Sequence, residues 1–458
     1  MIVRTEKSEM ANNFDSERQL FIEKLKATEK LFDDLFKLDN NGMVIDVNER
    51  QYLEKLQKRN KAILNKLESR KFNIAIVGLE KAGKSTLCNA LLKQNILPAE
   101  PERTTFVKTQ IIAGDNDEVE IRFLTKSEFD KRLQGLFESV KYEGTPSLPE
   151  FNKYWETVDL SSELYFIHND KTVRDIRNIL EGWDTISKLL NHEPIIFTDK
   201  KDIEKQAKIY ITGIIGFKTG YVLERGAEPY AVERVIIRTT QLSDMGNIVL
   251  YDVPDFDSPT LFHRNQTQEM LMYADAIILV NNSGTNPNLT GSQLDIFRSV
   301  RDEDGILLNQ KAFVFGNRID LVSSKEQVNN RMAILEKEAV KTYQLVSSKD
   351  RVLIGSARSY LEKIGCLNST VCMDKLDSWN IPYGVDELRQ KMQEYYDTDR
   401  FAILKNRAEN TIDKIKVSLQ DIIAKYPRLD DIDVEIENNK IRKDIVKSID
   451  EVLKNLNN

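Results

Sequence analysis

The chain has 458 residues, 30% of them charged and 41% hydrophobic, with a formal net charge of −7. That length accommodates two or three domains with ordinary globular cores. The acidic balance argues against a general nucleic-acid binder, which would carry a basic footprint.

No apolar run approaches the roughly eighteen residues of a membrane-spanning helix. The opening MIVRTEKSEMANN has no apolar core long enough for a signal peptide. Cys88, Cys366 and Cys372 stand in no metal-ligand spacing, and Cys88 reads as a small core residue. Together these features predict a protein of a reducing compartment, cytoplasmic and without bound nucleic acid.

Residues 15–38 and 48–70 are predicted as two amphipathic helices separated by a turn at Asp39–Gly42. Phe21, Leu25, Thr28, Phe32 and Leu35 form one stripe; Leu53, Leu56, Asn60, Ile63 and Leu67 form the other. A lone amphipathic helix needs a partner to cover its apolar face.

Phe72–Val77 then reads as a buried parallel strand. Gly78–Ser85 (GLEKAGKS) fits G-x-x-x-x-G-K-[ST], and Thr86–Leu92 continues as a helix. Strand, glycine-flanked loop and helix are the context that separates a phosphate site from a chance match in an ordinary loop. The backbone N–H groups between Gly78 and Thr86, with Lys81, Ala82 and Gly83 in the loop, present positive dipole ends to phosphate oxygens. Lys84 is placed to reach the β- and γ-phosphates, and the Ser85 hydroxyl to ligate Mg²⁺.

A polar loop, Gln94–Lys108, leads to strands near Thr109–Ala113 and Val119–Leu124. Residues 126–230 are expected to be a largely helical insertion. Lys126–Val140 and Thr172–Leu190 look helical, and Ile209–Leu223 looks like strand or hairpin. The aromatic cluster Tyr154, Trp155, Tyr165 and Phe166 is read as core packing in preference to a contact surface. Apolar runs at Val235–Arg238, Asn247–Tyr251, Ala274–Val280, Ala312–Phe315 and Arg351–Ile354 alternate with helical stretches such as Phe262–Tyr273, Gly291–Arg301 and Lys325–Thr342. That alternation predicts an α/β fold, a mostly parallel sheet with helices on both faces.

From about Asp397 the pattern is helical. Leu404, Ala408, Ile412, Ile415, Leu419 and Ile422 make one stripe, stopped at Tyr426–Pro427; Ile441, Ile445, Ile449, Val452 and Leu456 make another. One bundle built from both ends of the chain is the simplest cover for four stripes. The expected organisation is 1–70 and 397–458 as bundle segments around a core at 71–396.

The base is chosen at Phe315–Asp320. An aspartate after this strand accepts both N1–H and N2–H₂ of guanine, a donor pair adenine lacks, and a site built on such bonds rejects the wrong base strongly. Asn317 would brace the loop and touch the base edge, and the planar Arg318 guanidinium would lie over the purine. Ser356, Ala357 and Arg358 follow the next strand, where a backbone N–H of Ser356 or Ala357 is expected to meet the guanine oxygen. An ATP-dependent motor is disfavoured on the same residues. Asp252, at the end of a strand beside the phosphate strand, would hold Mg²⁺ through water. Thr104 or Thr105, with Thr105 favoured, would close over the metal once a γ-phosphate is present; the competing reading is a solvated loop threonine.

This order of motifs resembles the dynamin-like large GTPases, in particular the bacterial members. The resemblance rests on Gly78–Ser85, on Leu97–Pro98 followed by Arg103–Thr105, on Asp252–Pro254 with Phe256 and Ser258–Pro259 after it, and on Asn317–Asp320. It spans about residues 71–360, and the helical flanks match in kind.

The resemblance implies GTP hydrolysis stimulated by dimerisation of the GTPase domains and coupled to motion of the bundle. It also implies membrane remodelling or tethering, at a membrane surface or with partner proteins. It places Glu80 and Lys81 where the family positions the attacking water and offsets phosphate charge. Lys81 would act as a built-in cation in place of an arginine finger, against the plain reading of a solvent-facing lysine.

Two departures bear on this. Asp255 stands where the family's second switch has glycine, adding a negative charge beside an anionic ligand. That supports an alternative, a guanine-nucleotide-dependent assembly scaffold with little hydrolysis. The short stretch after the core predicts that a long stalk and lipid-binding tip are reduced or missing.

Overall fold

Burial on both faces marks the strand after the first two helices as an interior strand of the molecule's main sheet. β1 (Phe72–Gly78) is almost wholly enclosed, as its near-continuous apolar sequence requires. The computed structural model describes residues 2–38, 45–69, 71–79, 81–97, 107–158, 171–199, 202–203, 206, 208–218, 221–245, 247–253, 270–271, 274–291, 294, 308–425 and 436–457.

The other strands, in chain order, are β2 (Lys108–Ala113), β3 (Glu118–Phe123), β4 (Ile195–Phe197), β5 (Ile214–Lys218), β6 (Tyr221–Arg225), β7 (Val232–Thr239), β8 (Ile248–Asp252), β9 (Ala276–Asn282), β10 (Ala312–Asn317) and β11 (Val352–Ile354). Among the described residues, nine of the eleven strands, β1 included, pair in the order β11-β10-β9-β1-β8-β2-β7-β3-β4, while β5 and β6 form a separate hairpin.

The parallel sheet expected from the alternating pattern is the block β11-β10-β9-β1-β8. Beyond it the sheet is mixed: β2 runs antiparallel to β8 but parallel to β7, and β3 is antiparallel to both β7 and β4. The short link 114–117 explains why β3 runs opposite to β2 on the two sides of β7, because it is far too short for the crossover that two parallel strands need.

The expected helical insertion at 126–230 has helices at Lys126–Ser139, Leu148–Glu156, Lys171–Glu181 and Trp183–Leu189. The strand or hairpin read at Ile209–Leu223 is the β5–β6 hairpin, and the edge strand β4 is a strand that the sequence did not suggest. The single helix read over Thr172–Leu190 is two helices that meet at Gly182. Tyr154 and Trp155 pack against Phe151, and Tyr154 also against Tyr142, as core aromatics do; Tyr165 and Phe166 lie outside the described residues. The helical readings of Phe262–Tyr273 and Gly291–Arg301 also fall largely outside them.

The chain divides into two compact units: Phe72–Gln393, which holds the sheet, and a second made of Met1–Lys71 with Glu394–Asn458. In the latter, helices Ile2–Leu38, Val47–Ser69, Asp399–Lys425 and Ile436–Asn457 cover one another's stripes. One apolar cluster gathers Phe21, Leu25, Ile63, Leu404 and Ile412; another gathers Phe32, Leu35, Leu53, Ile415, Leu419 and Ile449.

Thr28 and Asn60, counted in the apolar stripes by spacing, are buried polar residues belonging to neither cluster. Thr28 donates to the Lys24 carbonyl at 2.8 Å. Asn60 donates to the Leu25 carbonyl at 2.9 Å and to Glu29 at 2.7 Å, so the helix pair meets the hydrogen-bonding demand of its buried amide nitrogen.

Candidate nucleotide-binding site

The loop between β1 and helix Lys84–Leu92 turns through two residues with positive φ, Lys81 at 62° and Gly83 at 88°. Gly83 is required twice over: its left-handed backbone suits glycine, and a Cβ there would collide with the Asn317 amide. Gly78 leaves no room either, because a Cβ would run into the Val280 carbonyl on β9.

The turn aims the start of the helix at the loop's interior. Lys84 is 5% exposed and its ammonium donates to the carbonyls of Gly78 (3.2 Å) and Leu79 (3.1 Å). A cation held against the loop's own carbonyls is positioned where a phosphate seated on the loop amides would attract it. Lys81 is exposed, and Glu80 lies outside the described residues.

β8 pairs with β1 so that Asp252 sits opposite Ile76, one strand away from the loop. Its carboxylate accepts the Ser85 hydroxyl at 2.8 Å, and both residues are buried. Hard oxygen donors at this spacing suit Mg²⁺, which takes one or two protein ligands and completes its shell with phosphate oxygens and water. No cluster of three or more His, Cys, Asp or Glu able to hold a metal occurs among the described residues. Cys88 is buried beneath, where desolvation and then the Asp252 charge push its thiol pKa well up; it remains a neutral packing group. Thr104, Thr105 and Asp255 lie outside the described residues.

Asn317, at the end of β10, ties the two halves of the site together. Its amide nitrogen donates to the carbonyls of Ala82 (3.1 Å) and Gly83 (3.3 Å); its oxygen accepts from Arg318 N–H (2.8 Å) and Ala357 N–H (3.1 Å). All four capacities of the buried amide are therefore used. Asp320 accepts the Ser356 hydroxyl at 2.6 Å, and Ser356 also caps its helix by accepting Ser359 N–H. Asn317, Arg318, Asp320 and Arg358 line a cleft of about 470 Å³, which Thr86 joins to the phosphate loop. That volume lies in the range of small-molecule sites.

The structure assigns the Ser356 and Ala357 amides differently from the sequence expectation. Ser356 N–H donates to the Tyr383 carbonyl at 3.0 Å and Ala357 N–H is held by Asn317, so both are engaged inside the protein. The next N–H of the helix's first turn, that of Arg358, has no acceptor among the described residues.

Sequence reasoning also missed Lys375, which donates to the Asp320 carbonyl at 2.7 Å, and Cys372, whose thiol pKa is pushed up to about 11 by burial and then by Asp320. Neither sits in a motif; only the tertiary packing of the helix Val371–Ser378 brings them to the site.

Residues 74–306, about half of the chain, match the Dynamin family. Dynamin-like protein 1 of Campylobacter jejuni is 35% identical over 104 residues, 23% of this chain and 14% of that protein. Dynamin-like protein A of Bacillus subtilis is 25% identical over 310 residues, 65% of this chain and 24% of that protein. The chain thus matches less than a quarter of the length of either relative. Among solved structures, an oligomerised bacterial dynamin pair described as providing a mechanism for long-range sensing and tethering of membranes is similar at 20% identity and a TM-score of 0.46, over 90% of this chain and 56% of that one.

Proposed function

The chain belongs to the dynamin family as a bacterial dynamin-like GTPase, and on that footing we propose that it binds GTP with Mg²⁺ and hydrolyses it to GDP and phosphate. The observation that carries this reading is Asn317, which lines the cleft beside Asp320 and whose amide ties the carbonyls of the phosphate loop to the helix behind that carboxylate.

In this reading Asp320 takes the N1–H and N2–H₂ of guanine while Ser356 holds its other lone pairs in place. Arg358 N–H, at the start of a helix, meets the guanine oxygen, and Arg318 covers the base. Lys84 and the loop amides hold the phosphates. Ser85 and Asp252, with Thr105, hold Mg²⁺, which when bound neutralises charge on the β- and γ-phosphate oxygens. Glu80 and Lys81 position the attacking water and offset charge in the transition state; no general base is needed, because this chemistry depends mainly on positioning.

Hydrolysis is stimulated when two sheet-bearing units dimerise, and it is coupled to motion of the helical unit. The setting is membrane remodelling or tethering, from the cytoplasm at a membrane surface. No described helix is long and apolar enough to cross a membrane.

Asp255 motivates a second reading, a nucleotide-gated scaffold that assembles but turns over poorly. Steady-state GTP turnover at several protein concentrations separates the two. Specific activity that rises with concentration in wild type and vanishes in Lys84→Ala supports the enzyme. Near-zero turnover that Asp255→Gly restores, with tight GTP binding by wild type, supports the scaffold and rejects the enzyme.

A further inference from the structure

Asn89 lies on the helix that follows the phosphate loop and is fully buried. Its side-chain oxygen accepts two backbone N–H groups, Ile96 at 3.1 Å and Leu97 at 2.8 Å. Only a carbonyl oxygen can accept from both, so the orientation of this amide is forced. Its nitrogen then donates to the Leu97 carbonyl at 2.6 Å and to the Asn95 side-chain oxygen at 3.1 Å.

The second bond fixes Asn95 in turn. With its oxygen committed to Asn89, Asn95 presents its NH₂ group as a donor, and that nitrogen has no acceptor among the described residues. Asn95 lines the same cleft as Asn317, as Asp320, which takes the base in the guanine-nucleotide reading, and as Thr86, which directly follows the phosphate loop. A nucleotide with its base at Asp320 and its phosphates at Lys84 must lay its sugar in the stretch of cleft between them.

We propose that Asn95 is a specificity residue for the sugar, its side-chain NH₂ donating to a ribose hydroxyl oxygen of the bound nucleotide, with Asn89 as the positioning residue that sets its orientation. Asn89 belongs to the helix that begins with Lys84 and Ser85, so the residue that positions the sugar donor sits on the same rigid element as the phosphate ligands. The inference rests on the guanine-nucleotide reading above, and its test separates the two.

The test is equilibrium binding of GTP, 2′-deoxy-GTP and 3′-deoxy-GTP to the full chain, as wild type, Asn95→Ala and Asn95→Asp. One neutral hydrogen bond corresponds to a preference of about 3- to 10-fold. Wild type should therefore prefer GTP over one of the deoxy analogues by that factor. Asn95→Ala should lose the same factor for GTP and nothing for that analogue, so that the preference collapses to near one. Asn95→Asp, which has no donor, should behave likewise or worse.

Equal weakening of all three nucleotides by Asn95→Ala, or an unchanged preference, would overturn the sugar contact while leaving the guanine site intact. A wild type that binds none of the three would overturn the guanine reading and this inference together.

Discussion

At the scale of single residues, the site depends on a few buried polar groups whose partners are all within the protein. Asp320 is held by Ser356 at 2.6 Å. Replacing the carboxylate by an amide puts an N–H opposite the guanine N2–H₂. Asp320→Asn should weaken GTP binding by roughly 3 kcal/mol, more than 100-fold. It should also bring a gain for xanthosine triphosphate, which carries an acceptor at that edge; competition titration of the two nucleotides checks both.

Ser356→Ala removes the brace of Asp320 and a helix cap together, so about 1 kcal/mol of stability should go with it. A matching fall in Tm and a weaker GTP affinity would be the signature. Gly83→Ala combines a left-handed backbone with a collision at Asn317. It should abolish nucleotide-dependent thermal stabilisation altogether.

At the scale of elements, two local devices stand apart from the site. The helix Lys126–Ser139 opens with a reciprocal capping box: Thr125 accepts Glu128 N–H, and Glu128 accepts Thr125 N–H at 2.9 Å. Thr125→Ala should cost about 1 kcal/mol in denaturant unfolding without changing GTP affinity.

Across β3 and β7, Arg238 bonds Glu118 and Glu120, and Arg122 bonds Glu120. Burial alone would raise the Glu120 pKa, but the two guanidinium groups outweigh it and hold the carboxyl below its usual 4.5. A carboxyl whose pKa is lowered by folding adds stability that is complete above its unfolded pKa and is lost as pH falls through the folded value. Unfolding free energy should therefore decline below about pH 4.5. Glu120→Gln should flatten part of that decline, as read by chemical denaturation from pH 7 to 3.

At the scale of the whole molecule, the two ends of the chain build one helical unit and the middle builds the sheet. Ile449 is fully buried in the apolar cluster that also contains Phe32, Leu35 and Leu419, residues more than 400 positions away at the other end of the chain in two of those cases. An unpaired charge there has no compensation. Ile449→Asp should destabilise the helical unit by several kcal/mol, visible as loss of helical ellipticity at a lower temperature. GTP binding by the sheet-bearing unit should persist below that transition.

The sequence by itself determined the elements that are local in the chain. The strand and helix that flank the phosphate loop, and the Asn317–Asp320 turn after a buried strand, were all readable, because their backbone forms follow from a few consecutive residues. The apolar periods of the end helices were readable for the same reason.

Tertiary structure decided what depends on residues far apart: the reversal of β2 against β8, the 2.8 Å meeting of Ser85 with Asp252, and the engagement of the Ser356 and Ala357 amides by Tyr383 and Asn317. It also decided that Thr28 and Asn60, which fit an apolar stripe by spacing, are buried hydrogen-bonding residues. Periodicity records which side of a helix faces inward, but a hydrogen bond needs its partner's position, and that exists only once the chain has folded.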